Sequence, residues 1–95
     1  MSMRSKILAT GALTVLTPII AATGAMAAPK PFCQNYATAA VIQFNRMQQL
    51  NLGCTGFRWH NWHDGHYQWC RRVSEQSARS EARTRARAIN GNGAC

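Results

Sequence analysis

Cysteine constrains this chain more than any other residue type. Cys33, Cys54, Cys70 and Cys95 are spread over the C-terminal two thirds of a 95-residue sequence, and none precedes them. An even number of cysteines reads as disulfides in an oxidising compartment, and as metal ligands or reactive thiols in a reducing one. The opening residues bear on that choice. Arg4 and Lys6 lead into an apolar run, "ILATGALTVLTPIIAA" from Ile7 to Ala22, which closes on "TGAMAA". A basic start, an apolar stretch and a small-x-small end describe a secretory signal peptide, with cleavage expected after Ala25-Met26-Ala27. The competing reading, an uncleaved anchor, is disfavoured by Gly11, Pro18 and the threonines that weaken the run. The expected product is periplasmic or secreted and spans residues 28–95. Its four cysteines then read as two disulfides.

Removing residues 1–27 from 95 leaves 68. Of eleven Lys and Arg, Arg4 and Lys6 go with the signal, so nine basic residues face Asp64, Glu75 and Glu81, a net charge of +6. A chain this short buries little apolar surface and usually needs staples. Each disulfide contributes about 2–4 kcal/mol, a large share of a small domain's stability.

The pattern along residues 28–95 is helical throughout. Pro29 and Pro31 bias their predecessors toward extended backbone, which delays the first helix to about 33–51. There Cys33, Tyr36/Ala37, Ala40/Val41, Phe44 and Met47 recur at three and four, with glutamines and Arg46 on the other side. Gly53 and Asn51 mark its end. A short second helix is expected at about 61–71, because Trp59, Trp62, His66, Trp69/Cys70 and Val73 fall at helical spacing, with Asn61 as cap. The third segment begins at a cap, Ser74, and carries Glu75–Arg79 and Glu81–Arg85 at i,i+4. Ala78, Ala82, Ala86 and Ile89 give it a narrow apolar stripe, and Asn90-Gly91 ends it. The expected fold is therefore all-α, a small disulfide-stapled bundle of two long helices and one short one, forming a single domain.

Geometry narrows the cysteine pairing. The first helix is about 28 Å long, which sets Cys33 and Cys54 at opposite ends, whereas bridged Cα atoms lie within about 7 Å. An up-down-up arrangement pairs Cys33 with Cys70 and Cys54 with Cys95. A second helix lying as a crosspiece pairs Cys54 with Cys70 and Cys33 with Cys95 instead. The first is preferred.

"CQNYATAAV" at Cys33–Val41, "CTGFRW" at Cys54–Trp59 and "HYQWC" at His66–Cys70 resemble a group of small exported four-cysteine proteins of Gram-negative bacteria. The resemblance covers nearly all of residues 28–95 and implies the class and the address, with no activity attached. That group's pattern carries no histidine at positions 60 and 63, while His66 matches.

The densest chemistry lies in "FRWHNWHDGHYQWC", Phe57 to Cys70, which holds all three histidines and all three tryptophans. Imidazole ligates Zn, Cu and Ni, so His60, His63 and His66 make a metal-binding protein the alternative function. Each step of three drifts about 60° around a helix axis, so adjacent pairs chelate more readily than all three. The favoured reading is a core segment. His66 shares a stripe with the tryptophans, which are expected to pack on Ala37, Ala40 and Phe44, and His60 and His63 are expected to be solvated. With three carboxylates and no marked nucleophile, catalysis is not expected, and no cofactor is implied. Arg79, Arg83 and Arg87 repeat at i,i+4 and form a basic stripe suited to phosphate and other anions. In an exported chain the partners this suggests are anionic cell-envelope components, not a specific nucleic acid. The alanine-rich opposite face argues against stable membrane insertion after signal cleavage. The expected function is a non-enzymatic binding or structural protein with a basic arginine-rich helix.

Overall fold

A computed structural model describes residues 26–95; the expected signal peptide, apart from its last two residues, lies outside the described residues. Three helices follow in order: α1, Lys30–Gln49; α2, His63–Cys70; and α3, Glu75–Ile89. No strand occurs among the described residues, so the fold is all-α. The first helix starts three residues earlier than its prolines suggest. Pro29 is the extended N-cap residue and Pro31 sits in the first turn. A missing N–H there costs nothing, because first-turn N–H groups lack helical partners anyway.

α1 ends in a Schellman motif. The Leu52 N–H donates to the Met47 carbonyl and the Asn51 N–H to that of Gln48, with Asn51 at φ 55°. Asparagine, not Gly53, supplies the left-handed residue. α3 closes the same way, with Gly91 at φ 79° and Asn92 donating to the Arg87 carbonyl at 2.9 Å. It opens on Ser74, whose hydroxyl accepts the Ser77 N–H at 3.1 Å. α2 is shorter than the expected 61–71. Its N-cap residue is Trp62, with no side-chain cap, so Asn61 does not serve.

Two small apolar clusters hold the bundle, one at each end. The first gathers Ala28, Cys33, Tyr36, Cys70 and Ala78; the second gathers Met47, Cys54, Trp59 and Ala88. α1 and α3 therefore run in the same direction, and α2 returns between them in sequence. Each cluster carries a disulfide. Cys33 is bonded to Cys70 with Cα atoms 5.6 Å apart, and Cys54 to Cys95 at 5.3 Å.

Between the clusters lies a polar layer. Arg85 is 1% exposed and its Nε–H donates to Gln43 Oε1 at 2.7 Å, while Gln43 Nε2 donates to the Ala82 carbonyl at 3.2 Å. The inward face of α3 is accordingly Ala78, Arg85 and Ala88. The all-apolar stripe read from sequence is corrected here: Ala82, Ala86 and Ile89 are half-buried, and an arginine takes the centre. The small side chains Ala37 and Ala40 of α1, both fully buried, leave room for α3 and α2 to approach.

Candidate functional site

The histidines are placed by the turn before α2 and by α2 itself. His66 is buried, and its Nε2 lies 2.9 Å from the backbone oxygen of His60. A carbonyl only accepts, so Nε2 carries the proton. Burial holds the His66 pKa below the ordinary histidine value, against the smaller raising effect of that hydrogen bond. The His60 and His66 rings stack with centroids 3.9 Å apart, and His60 Nδ1 accepts the Trp62 N–H at 3.1 Å. His63 turns away toward α1, with Nε2 3.3 Å from Thr38 Oγ1. Among the described residues no group of three or more His, Cys, Asp or Glu comes together to hold a metal, and the cysteines are all in disulfides. The metal alternative therefore has no assembled ligand set: two of its three histidines face each other and the third faces elsewhere.

The tryptophans do not share one site. Trp59 is buried against Met47, Cys54 and Ala88, in the cluster that includes Phe44. Trp69 packs on Tyr36, with centroids 5.7 Å apart. Trp62 is 64% exposed. The expectation that all three pack on Ala37, Ala40 and Phe44 fails because Trp62 precedes α2, outside the helical register that the spacing assumed.

The arginine stripe is exposed along α3. Arg79 pairs with Glu75 and lies over the Phe32 ring, 4.9 Å from its centroid. Arg87 donates to Thr84 Oγ1 at 3.2 Å. Among the described residues neither Arg83 nor Arg87 meets a carboxylate. Both acids of α3 are already engaged: Glu75 by Arg79, and Glu81 by Arg58, whose Nη2 lies 3.3 Å from Oε1, with Arg85 Nη1 at 3.8 Å.

Sequence periodicity does not reveal a third feature. A cavity of about 290 Å³ opens beside the polar layer, walled by Tyr36, Trp62, His66 and Trp69, with Arg58, Arg72 and Arg85 and one acid, Glu81, around it. Arg85 lies over the Tyr36 ring at 5.1 Å, and burial raises the Tyr36 pKa against the opposing pull of that guanidinium. These residues come from α1, the 50–62 segment, α2, the turn after it and α3, so no local pattern joins them. A weak signal exists in Glu81–Arg85 at i,i+4, which reads equally well as a surface pair. No known family, curated protein or solved structure matches this chain.

Proposed function

We propose that this chain is exported and acts as a disulfide-stabilised, non-enzymatic binding or structural protein that associates with anionic cell-envelope components through α3. One observation carries the reading. Arg79, Arg83 and Arg87 stand in a single exposed row, and the acids of the same helix are engaged, Glu75 by Arg79 and Glu81 by Arg58 and Arg85, so that Arg83 and Arg87 meet no carboxylate among the described residues. A row of guanidinium groups offers bidentate hydrogen bonds to phosphate or carboxylate as well as charge. Two disulfides in so small a fold fit an oxidising compartment. Among the described residues no helix is long and apolar enough to cross a membrane.

The test is association of the oxidised protein with vesicles containing anionic lipid, and with isolated envelope fractions, over a salt series. Binding should weaken as salt shortens the range of the field. Changing Arg79, Arg83 and Arg87 together to Gln should reduce it while leaving the far-UV circular dichroism unaltered. Absence of binding at low salt, or equal binding by the triple variant, removes the reading.

A further inference from the structure

The cavity beside Arg85 has features that packing alone does not account for. Phe57 is 84% exposed and Trp62 64%, and both border the cavity mouth. Scattered apolar side chains on a surface are ordinary, but two aromatic rings flanking one opening are a patch with a location. Trp62 is also specifically seated. A Cβ placed on Gly65 would lie 2.4 Å from Trp62 Cε3, so only glycine lets the indole rest against the first turn of α2. Glycine inside a helix is unfavourable, and here it makes room for a ring that stays largely in water. That combination suits a wall waiting for something to stack on it.

The electrostatics of the same cavity point to the sign of the occupant. Three guanidinium groups, Arg58, Arg72 and Arg85, face it against one carboxylate, Glu81, which two of them already share. The Arg85 side chain is almost completely buried, and its Nη2 has no hydrogen-bond partner. A buried, unpartnered donor on an already cationic group is costly, and an anion is the species that would relieve it. A bare inorganic anion would satisfy the charge and leave the indole walls idle. A neutral aromatic would do the reverse.

From these observations we infer that the cavity binds a small aromatic carboxylate, its ring against Trp62 and Trp69 and its carboxylate taken by Arg72, Arg58 and Arg85. The site is separate from the exposed Arg79, Arg83 and Arg87 row and does not rest on that row's function. The volume suits a one- or two-ring acid, and a planar carboxylate matches the guanidinium fork. Arg72 and Trp62 are exposed, so both can be replaced without opening the core.

The experiment titrates the oxidised protein with 2-naphthoate, using calorimetry and the indole N–H resonances of Trp62 and Trp69. The uncharged 2-naphthamide and inorganic phosphate are titrated in parallel. Saturable 2-naphthoate binding that shifts both indole signals is expected, with the amide and phosphate each weaker by about tenfold or more, the value of one charge-assisted hydrogen bond. Arg72→Gln and Trp62→Ala should each weaken 2-naphthoate binding by a similar factor with unchanged circular dichroism. The triple Gln variant at Arg79, Arg83 and Arg87 should bind it as the parent does. The proposal is overturned by no saturable binding at millimolar 2-naphthoate, by equal affinity for the amide, or by full affinity in both cavity variants. Loss of binding in the triple variant alone would reassign the ligand to the α3 face.

Discussion

Arg85 and His66 show how much a single buried polar side chain can decide in so small a protein. Arg85 fills the middle of the bundle, where its hydrogen bond to Gln43 ties α3 to α1. Replacing Gln43 by Leu leaves a buried guanidinium N–H without an acceptor. Urea unfolding should then show a loss of about 1–3 kcal/mol, the cost of an orphaned buried donor. His66 adds a pH dependence. Burial lowers its pKa in the folded state below the ordinary 6.5. Between the lowered value and 6.5 the unfolded chain holds more protons, so stability rises with pH there. Stability is thus complete above about pH 6.5 and falls as pH drops toward the folded pKa. Thermal unfolding followed from pH 7.5 to pH 5 should show a declining midpoint, and His66→Gln should flatten the profile. A profile of unchanged slope in the variant would assign the dependence to another group.

At the scale of elements, capping and close approach set where helices stop and how they meet. Ser74→Ala removes the acceptor for the Ser77 N–H and should cost about 1 kcal/mol in chemical denaturation, with α3 fraying at its start. The segment before α1 is also anchored. Ala28 is fully buried, its N–H donating to the Val73 carbonyl at 2.9 Å and its own carbonyl accepting from Arg71. If processing follows Ala27 as expected, the new amino group of Ala28 sits at that carbonyl, just beyond the C-terminal end of α2, where positive charge is favoured. A chain beginning at Pro29 should melt several degrees lower than one beginning at Ala28. Equal melting temperatures would show that this anchor contributes nothing.

The molecule as a whole is two thin cores joined by a polar layer, and each core is closed by a disulfide. The bridges span separations of 37 and 41 residues, so each should add about 2–4 kcal/mol by restricting the unfolded chain. Reduction should therefore unfold much of the population at growth temperature, seen as loss of helical circular dichroism in the presence of dithiothreitol. Non-reducing peptide mapping should recover Cys33 joined to Cys70 and Cys54 joined to Cys95. A Cys54–Cys70 peptide would require a different helix arrangement.

Helix content, the Ser74 cap and the stop at Asn90-Gly91 were legible in the residues, because each depends on neighbours within about four positions. Spacing at three and four and a hydroxyl before a run of helix formers act through the chain's own backbone, whatever it packs against. α1 starts earlier than its prolines suggest for a local reason, since proline at a first turn replaces a donor that has no partner there. The rest needed the tertiary structure. Periodicity left two cysteine pairings open, and the ends that meet in space choose between them. It put alanines at the centre of the α3 interface, where Arg85 is admitted because Gln43 of α1 supplies an acceptor 42 residues away. It grouped three tryptophans and three histidines that the turn before α2 then separates. The cavity joins Tyr36, Arg58, His66 and Arg85 from four segments. Distances between remote residues are set by how whole elements pack, and a pattern of neighbours does not contain them.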